Sequence, residues 1–200
     1  MSGINSICVY CGSSPGRSPE YAESARRLGQ EIAVHGMRLT YGGGTKGIMG
    51  AVAQGVLENG GRAFGIIPQF LLGKEAGQRQ ADPSCELVVT RDMHERKHLL
   101  FENADAFVAL PGGIGTVEEI VEVMTWAQLG RHRKPMVFAN ILGFWDPMLA
   151  MLAHMRDEGF IHTAHLVQPL VIADVAKIIP AILAAARLDA GGNKDVIGKL

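Results

Sequence analysis

Short apolar runs alternate along the chain with longer segments in which apolar residues recur every three or four positions. The runs lack a clean alternation of apolar and polar residues, which is typical of strands buried on both faces. The longer segments predict helices, and Ser18 followed by a proline is typical of a helix start. The predicted strands cover residues 4–10, 37–41, 63–67, 85–90, 105–110 and 135–139. The predicted helices include residues 19–34, 48–58, 145–158 and 175–187.

This order of elements predicts the fold class. Strands that alternate with helices form a parallel sheet whose two faces are covered by the helices. We therefore expect an α/β protein of three layers with a mostly parallel sheet. The 200 residues, 48% of them hydrophobic, can bury a core, and no linker divides them. A single catalytic domain is expected over residues 1–189, a polar loop or lid over 68–84, and a flexible tail over 190–200.

The charges and cysteines exclude several classes of partner. The chain has 19 basic and 20 acidic residues, so no overall positive field attracts nucleic acid or an anionic membrane. No targeting segment and no apolar run of the roughly 20 residues that a membrane span needs is evident. The three cysteines form no disulfide framework, and we interpret Cys8 and Cys11, a lone C-x-x-C, as buried or loop thiols. These features predict a soluble cytoplasmic protein.

Four loops that follow predicted strands have unusual sequences: CGSS at 11–14, GGGTKG at 42–47, RDMHERK at 91–97 and PGGIGTVEE at 111–119. In a parallel sheet the carboxyl ends of the strands lie at one edge, where ligands bind. The four loops are therefore expected to form one site. The candidate ligand contacts outside the last two loops are Gly12, Ser13, Gly43, Gly44 and Glu75.

The segment GGGTKG matches the dinucleotide-binding pattern G-x-G-x-x-G, because it follows a strand and precedes a helix. However, the acidic residue expected about 20 positions later is missing, and the spacing of a P-loop is not met. A glycine turn through which the backbone approaches a nucleotide or another loop is favoured. We expect no dinucleotide cofactor.

Residues 94–98, HERKH, match the zinc-protease pattern H-E-x-x-H. The two middle positions are Arg96 and Lys97, whose positive charges disfavour a bound cation, and we expect no metal site. These two residues lie at the start of a predicted helix on the ligand edge. They are expected to contact an anion or a polar base.

The segment LPGGIGTVEE, residues 110–119, has two interpretations. Its glycines free several backbone N–H groups for an anion at a helix N-terminus. The order Thr116 to Glu119 also matches a capping box, in which Thr116 caps the helix and Glu119 reaches back. Both are predicted, because capping alone does not need three glycines. The predicted core stripe of the helix is Val117, Ile120, Val121 and Met124. Glu119, Glu122 and Trp126 are expected on another side.

At these motifs the sequence resembles a known family. PGGIGTVEE fits P-G-G-x-G-T-x-x-E and MHERK fits M-x-x-R-K, the two signatures of the LONELY GUY (LOG) phosphoribohydrolases, which activate cytokinins. The resemblance extends over nearly the whole chain, through CVYCGSSPG, YGGGTKGIMGAVA, VMTWAQLGRHRKP and EGFI. Members of this family were long labelled lysine decarboxylases, a label that the chain does not favour because no lysine has a recognisable Schiff-base context.

The resemblance implies a Rossmann-like fold, a homodimer, and hydrolysis of the N-glycosidic bond of an N6-modified adenosine 5′-monophosphate to the free base and ribose 5-phosphate. Arg96 and Glu119 would be the catalytic pair. The implied substrate contacts are Lys97, Gly112, Gly113, Gly115, Thr116 and Thr125. An ionised Glu119 would stabilise an oxocarbenium-like transition state, with support from the helix dipole. Arg96, which keeps its proton, would hold the base or the phosphate.

Four questions stay open at this point. The residue that protonates the leaving base is one of Glu75, Glu118 and Glu122. The base preference is open because the segment 68–84 is a few residues longer than in plant members and Ile114 replaces a frequent aromatic residue. Unmodified AMP or another nucleotide is therefore an alternative substrate. A non-catalytic nucleotide-binding module of the same fold is the second hypothesis, and Trp126 is a candidate for either core or interface.

Overall fold

A computed structural model describes residues 3–76, 84–161 and 169–192. Within these residues one parallel sheet of seven strands has the order β4-β3-β2-β1-β5-β6-β7. The strands are β1 Ser6–Tyr10, β2 Arg38–Tyr41, β3 Arg62–Pro68, β4 Cys85–Thr90, β5 Ala106–Ala109, β6 Met136–Ala139 and β7 Leu170–Ile172. The six strands predicted from the sequence are confirmed, and the short β7 was not predicted.

The helices connect the strands in the order that the pattern predicts. They are α1 Pro19–Val34, α2 Gly47–Glu58, α3 Gln69–Leu71, α4 Met93–Glu102, α5 Ile114–Gln128, α6 Asp146–Asp157 and α7 Ile178–Gly192. Short 3-10 turns lie at Ile141–Gly143 and Val175–Lys177. The rest of the predicted tail, residues 193–200, lies outside the described residues. None of the helices in the described ranges is long and apolar enough to cross a membrane.

The segment 68–84 was predicted as a polar loop or lid. For the first half of the segment this prediction is wrong, because that half is helical. Pro68 ends β3, α3 follows directly, and a single π-helical turn covers Leu72–Ala76. Residues 77–83 lie outside the described part of the chain. The short apolar run Phe70, Leu71 and Leu72 lies in these turns, and the polar residues around it favoured a loop in the prediction from sequence.

The sheet separates two hydrophobic cores, so the three-layer prediction is confirmed. Along β1, Ile7 and Val9 belong to the core that packs against α1, α2 and α7. Cys8 and Tyr10 belong to the core under α4, α5 and the residues that flank α6. Successive strand residues point to opposite faces, which places Cys8 and Cys11 in different cores as buried free thiols. The interpretation of the C-x-x-C as buried thiols is confirmed.

The direction of chain progression reverses beside β1. The chain moves from β1 through β2 and β3 to β4, and then crosses to β5 on the other side of β1. The chain therefore continues from β1 and from β5 towards opposite edges of the sheet. Open α/β sheets bind ligands at such a switch point. The two loops also touch, since the amide of Gly12 donates to the carbonyl of Pro111 at 3.1 Å.

Candidate active site

A cleft of about 270 Å³ opens at this switch point. Its walls come from the loops after β1, β2 and β5, from the N-terminal part of α4, and from the turns after β3. Of the predicted site residues, those that line it are Gly12, Ser13, Glu75, Arg96, Gly113, Gly115, Thr116 and Glu119. The prediction that the loops open on the same edge is confirmed.

The floor of the cleft holds a buried ion pair between the two residues that were predicted as the catalytic pair. Arg96 Nη1 lies 2.5 Å from Glu119 Oε1, and the two side chains are only 8% and 9% exposed. Arg96 Nε also donates to the carbonyl of Ile66 at 3.2 Å, which fixes the plane of the guanidinium. Asp92 caps α4, because its side chain accepts from the amide of Glu95 at 2.9 Å. A well-defined helix start therefore presents Arg96 to the cleft.

Gly42 makes room for the arginine. A Cβ atom on Gly42 would lie 2.4 Å from Arg96 Nη2, closer than real contacts allow. The first glycine of GGGTKG is thus needed for the approach of a side chain rather than of a dinucleotide. Within the described residues, Arg96 Nη2 and Glu119 Oε2 make no hydrogen bond. One donor and one acceptor of the pair are therefore available to a ligand.

Burial sets the electrostatics of Glu119. Desolvation raises the pKa of its carboxyl above the ordinary value, while the charge and hydrogen bond of Arg96 oppose that rise. Glu118 and Glu75 add repulsion and raise the pKa further. Glu119 lies off the hydrophobic stripe of α5, as predicted, but it is buried because its side chain meets Arg96 from a neighbouring helix. Arg96, which does not readily lose its proton, favours the ionised carboxylate.

The capping box predicted for Thr116 and Glu119 is also wrong. Helix α5 begins three residues earlier, its N-cap is Gly113, and no side chain caps it. Thr116 is instead a buried residue of the first turn, where its Oγ1 occupies the space that a Cβ atom on Gly112 would need. Within the described residues, the amides of Ile114, Gly115 and Thr116 donate no hydrogen bond. Uncapped N–H groups at the positive end of a helix dipole form a site for an anion.

The predicted core stripe of α5 is partly corrected. Ile120 and Met124 are buried as expected, but Val121 is 37% exposed and Val123 takes its place at 3%. The shift follows from the earlier helix start and from the inward turn of Glu119. Trp126 is half-buried and packs edge-on against Phe101, with 4.7 Å between ring centroids.

Several residues predicted as substrate contacts lie outside the lining of this cleft. Lys97 pairs with Glu118 at 2.6 Å and Glu122 at 3.2 Å. Thr125 donates to the carbonyl of Val121 and borders a separate groove between α5 and α6.

The glycines outside the lining act through packing. A Cβ on Gly43 would crowd Ile67 and Leu87, and one on Gly44 would crowd Met49. Gly112 borders a smaller neighbouring cavity.

The H-E-x-x-H match does not form a ligand set in this helix. His94 and His98 are exposed, and Glu95 pairs with Arg91 at 3.2 Å. Within the described part of the chain, no three His, Cys, Asp or Glu side chains are grouped as metal ligands. The inner face of α4 carries Arg96 instead.

The prediction from sequence missed the apolar wall of the cleft. Val9, Met49, Leu71 and Met93 all line it. Met93 is the first residue of M-x-x-R-K and Met49 follows GGGTKG, so their positions beside the two motifs were the available signal. An apolar wall opposite a charged pair is the usual composition of a small-molecule site.

Comparison with known proteins agrees with this geometry. Residues 49–182 match the family model described as "Possible lysine decarboxylase". The rice (Oryza sativa subsp. japonica) protein named cytokinin riboside 5′-monophosphate phosphoribohydrolase LOG is 46% identical over 155 residues, or 78% of this chain. The chain belongs to the LOG family. The match spans 63% of the rice protein. The Rhodococcoides fascians protein named cytokinin riboside 5′-monophosphate phosphoribohydrolase is 43% identical over 178 residues, 88% of each chain.

Solved structures share the fold. The molybdenum cofactor carrier protein of Chlamydomonas reinhardtii superposes with a TM-score of 0.64 at 25% identity, over 94% of the LOG-family chain and 99% of the carrier. The Rossmann-like, three-layer architecture is therefore common to this chain and to a protein named as a carrier.

Proposed function

We propose that this LOG-family protein hydrolyses the N-glycosidic bond of a nucleoside 5′-monophosphate and releases the free base and ribose 5-phosphate. The observation that carries the proposal is the buried Arg96–Glu119 pair beside the uncapped N-terminus of α5 in one cleft. The relatives from rice and Rhodococcoides fascians are named as phosphoribohydrolases of cytokinin riboside 5′-monophosphate. An N6-modified adenine is accordingly the first candidate base.

The phosphate of the substrate is assigned to the start of α5. The amides of Ile114, Gly115 and Thr116 and the helix dipole supply donors and partial positive charge for a dianion. Gly113 and Gly115 have no heavy atom within 4 Å of a Cβ position, so the space above them is open to a ligand. Among the described residues no lysine lines the cleft, and the backbone amides take over the recognition of the phosphate.

The catalytic roles follow from the transition state. Cleavage of the bond builds positive charge on the ribose, and an ionised carboxylate close to C1′ stabilises that charge. Glu119 supplies the carboxylate and orients the attacking water through Oε2. Arg96 keeps Glu119 ionised despite its burial, and offers Nη2 to the substrate. The pair therefore acts as one unit, and each residue depends on the other.

A panel of substrates tests the proposal. Purified protein is incubated with N6-isopentenyladenosine monophosphate, AMP, CMP and the nucleoside that lacks the phosphate, and the free base is measured by chromatography. We expect base release from a purine nucleotide and much slower release from the nucleoside. Equal rates with and without the phosphate would overturn the assignment of the α5 N-terminus. The rank order of the nucleotides gives the base preference. This preference was left open because the segment 68–84 is longer than in plant members and Ile114 replaces an aromatic residue.

A binding module is the alternative outcome of the same panel. The fold is shared with a protein named as a molybdenum cofactor carrier, so the architecture alone does not specify catalysis. Nucleotides that bind and are recovered intact would favour this second hypothesis. A carrier would not need the buried Arg96–Glu119 pair, which is why hydrolysis is the better explanation of the cleft.

We also infer a homodimer, which the family resemblance implies. An apolar groove of about 430 Å³ lies between α5 and α6, lined among others by Val121, Met155 and Phe160. Phe160 is 78% exposed in the single chain. Contiguous exposed apolar surface of this kind is typical of protein–protein interfaces. The groove is the surface that we assign to the second copy.

A cytoplasmic location remains the prediction from sequence.

A further inference from the structure

The structure separates the three carboxylates that the sequence left as candidates for protonating the leaving base. Glu118 and Glu122 are both engaged by Lys97, and neither lines the cleft. Glu75 does line the cleft, together with Glu119. We propose that Glu75 is the catalytic acid that protonates the leaving base, and that Thr45 is the residue that positions it. This inference rests on the proposed hydrolase function.

The two carboxylates of the cleft have opposite surroundings. Glu119 is buried and held by Arg96, which favours its ionised form. No hydrogen bond or ion pair from the described residues engages the Glu75 carboxylate, which lies on a partly exposed turn. Both groups line the same cleft and act on the same space. Because Arg96 holds the charge of Glu119, Glu75 is the carboxyl of the cleft that is left for the acid role.

A specific tether holds Glu75 at the cleft. The carbonyl of Glu75 accepts the amide of Thr45 at 2.9 Å and the hydroxyl of Thr45 at 3.2 Å. Thr45 belongs to GGGTKG, the loop whose Gly42 makes room for Arg96. The π-helical turn Leu72–Ala76 is therefore fastened to the loop that positions the other half of the site. Two hydrogen bonds from one threonine thus fix the backbone of the turn at Glu75.

The step balances with two carboxylates and one water. The bond between C1′ and the base nitrogen breaks, and its electron pair stays on the base. The proton of Glu75 passes to a ring nitrogen of the base, so that a neutral base leaves. The water oxygen bonds to C1′, and the proton that it loses passes to the Glu119 carboxylate. Exchange with solvent then returns a proton to Glu75 and removes one from Glu119.

A substrate whose base leaves without a proton tests this role. The purine nucleotide that is cleaved fastest is compared with its N7-methylated derivative, whose base already carries the positive charge. For Glu75→Gln we expect kcat on the unmethylated nucleotide to fall by about 10²-fold or more. On the methylated nucleotide kcat should fall by a much smaller factor. Thr45→Val, which loses only the hydroxyl bond, should show the same selective loss to a smaller extent.

The controls separate this inference from the proposed function. Glu118→Gln removes a carboxylate outside the cleft, and any loss should be equal on both nucleotides. Melting temperatures of all variants check folding, and Thr45→Val keeps the test valid if Glu75→Gln is unstable. Equal losses on both nucleotides, or a rise in KM alone, would show that Glu75 binds substrate and does not protonate it. Failure of the wild-type protein to release base from either nucleotide would instead overturn the hydrolase function itself.

Discussion

At the scale of single residues, the buried pair of Arg96 and Glu119 dominates the energetics of the cleft. Two charges taken out of water lose hydration, and their mutual attraction offsets that loss only while both are present. Removal of one partner from such a pair costs about 3–5 kcal/mol. The two removals are not equivalent, because a buried carboxyl can take up a proton whereas a guanidinium keeps its charge.

This asymmetry gives a pH-dependent prediction for stability. In Arg96→Met the opposing charge is gone, so burial and the repulsion from Glu118 and Glu75 raise the pKa of Glu119 unopposed. The folded state then binds a proton more tightly than the unfolded state, and the loss of stability should shrink as the pH falls. Glu119→Gln leaves Arg96 charged, so the stability that this variant loses should not be regained at lower pH. Denaturant unfolding at about pH 5 and about pH 8 measures the free energy of unfolding of both variants. A deficit of Arg96→Met that does not change with pH would contradict the account.

The same pKa governs activity. Only the ionised Glu119 stabilises the cationic transition state, so kcat/KM should fall as the pH drops through the raised pKa of this group. The acid limb is therefore expected above the ordinary glutamate value of about 4.3. A profile of kcat/KM against pH for the wild-type protein checks this. An acid limb at or below the ordinary value would mean that Arg96 outweighs burial.

At the scale of elements, the start of α5 depends on close packing between two loops. A Cβ on Gly112 would lie 2.1 Å from Thr116 Oγ1 and 2.9 Å from the amide nitrogen of Gly12. Gly113, the next residue, has nothing within 4 Å of its Cβ position. Gly112→Ala should therefore cost about 1–3 kcal/mol through overpacking, while Gly113→Ala, the matched control, should cost far less. Denaturant unfolding compares the two, and equal losses would show that the loops do not pack as described.

The elements also show what sequence can and cannot predict. The strands were predictable because buried parallel strands are continuous apolar runs. β7 was missed because three residues, Leu170–Ile172, are too few to form a pattern. The capping box failed because a Thr and a Glu three positions apart occur within a helix as well as across its start. The burial of Glu119 depends on Arg96, 23 residues earlier in the chain, and such a contact comes from tertiary packing.

At the scale of the whole molecule, the groove between α5 and α6 carries the prediction of dimerisation. A negative charge placed there should weaken association, because its burial in a largely apolar interface costs hydration. Phe160→Glu is therefore expected to shift the protein towards the monomer. Val34→Glu, at a 69% exposed apolar residue of α1, is the matched control and should leave the assembly unchanged. Sedimentation velocity measures both variants, and a Phe160→Glu protein that sediments like the wild type would place the interface elsewhere.

The central claim is that one cleft binds a nucleoside 5′-monophosphate and cleaves its glycosidic bond through Glu119. The most direct measurement is the stoichiometry of products, with free base and ribose 5-phosphate quantified together against the nucleotide consumed. The account predicts equal amounts of both products from the wild-type protein, and nucleotide that is bound but intact with Glu119→Gln. Release of inorganic phosphate without free base, or undiminished cleavage by Glu119→Gln, would contradict it.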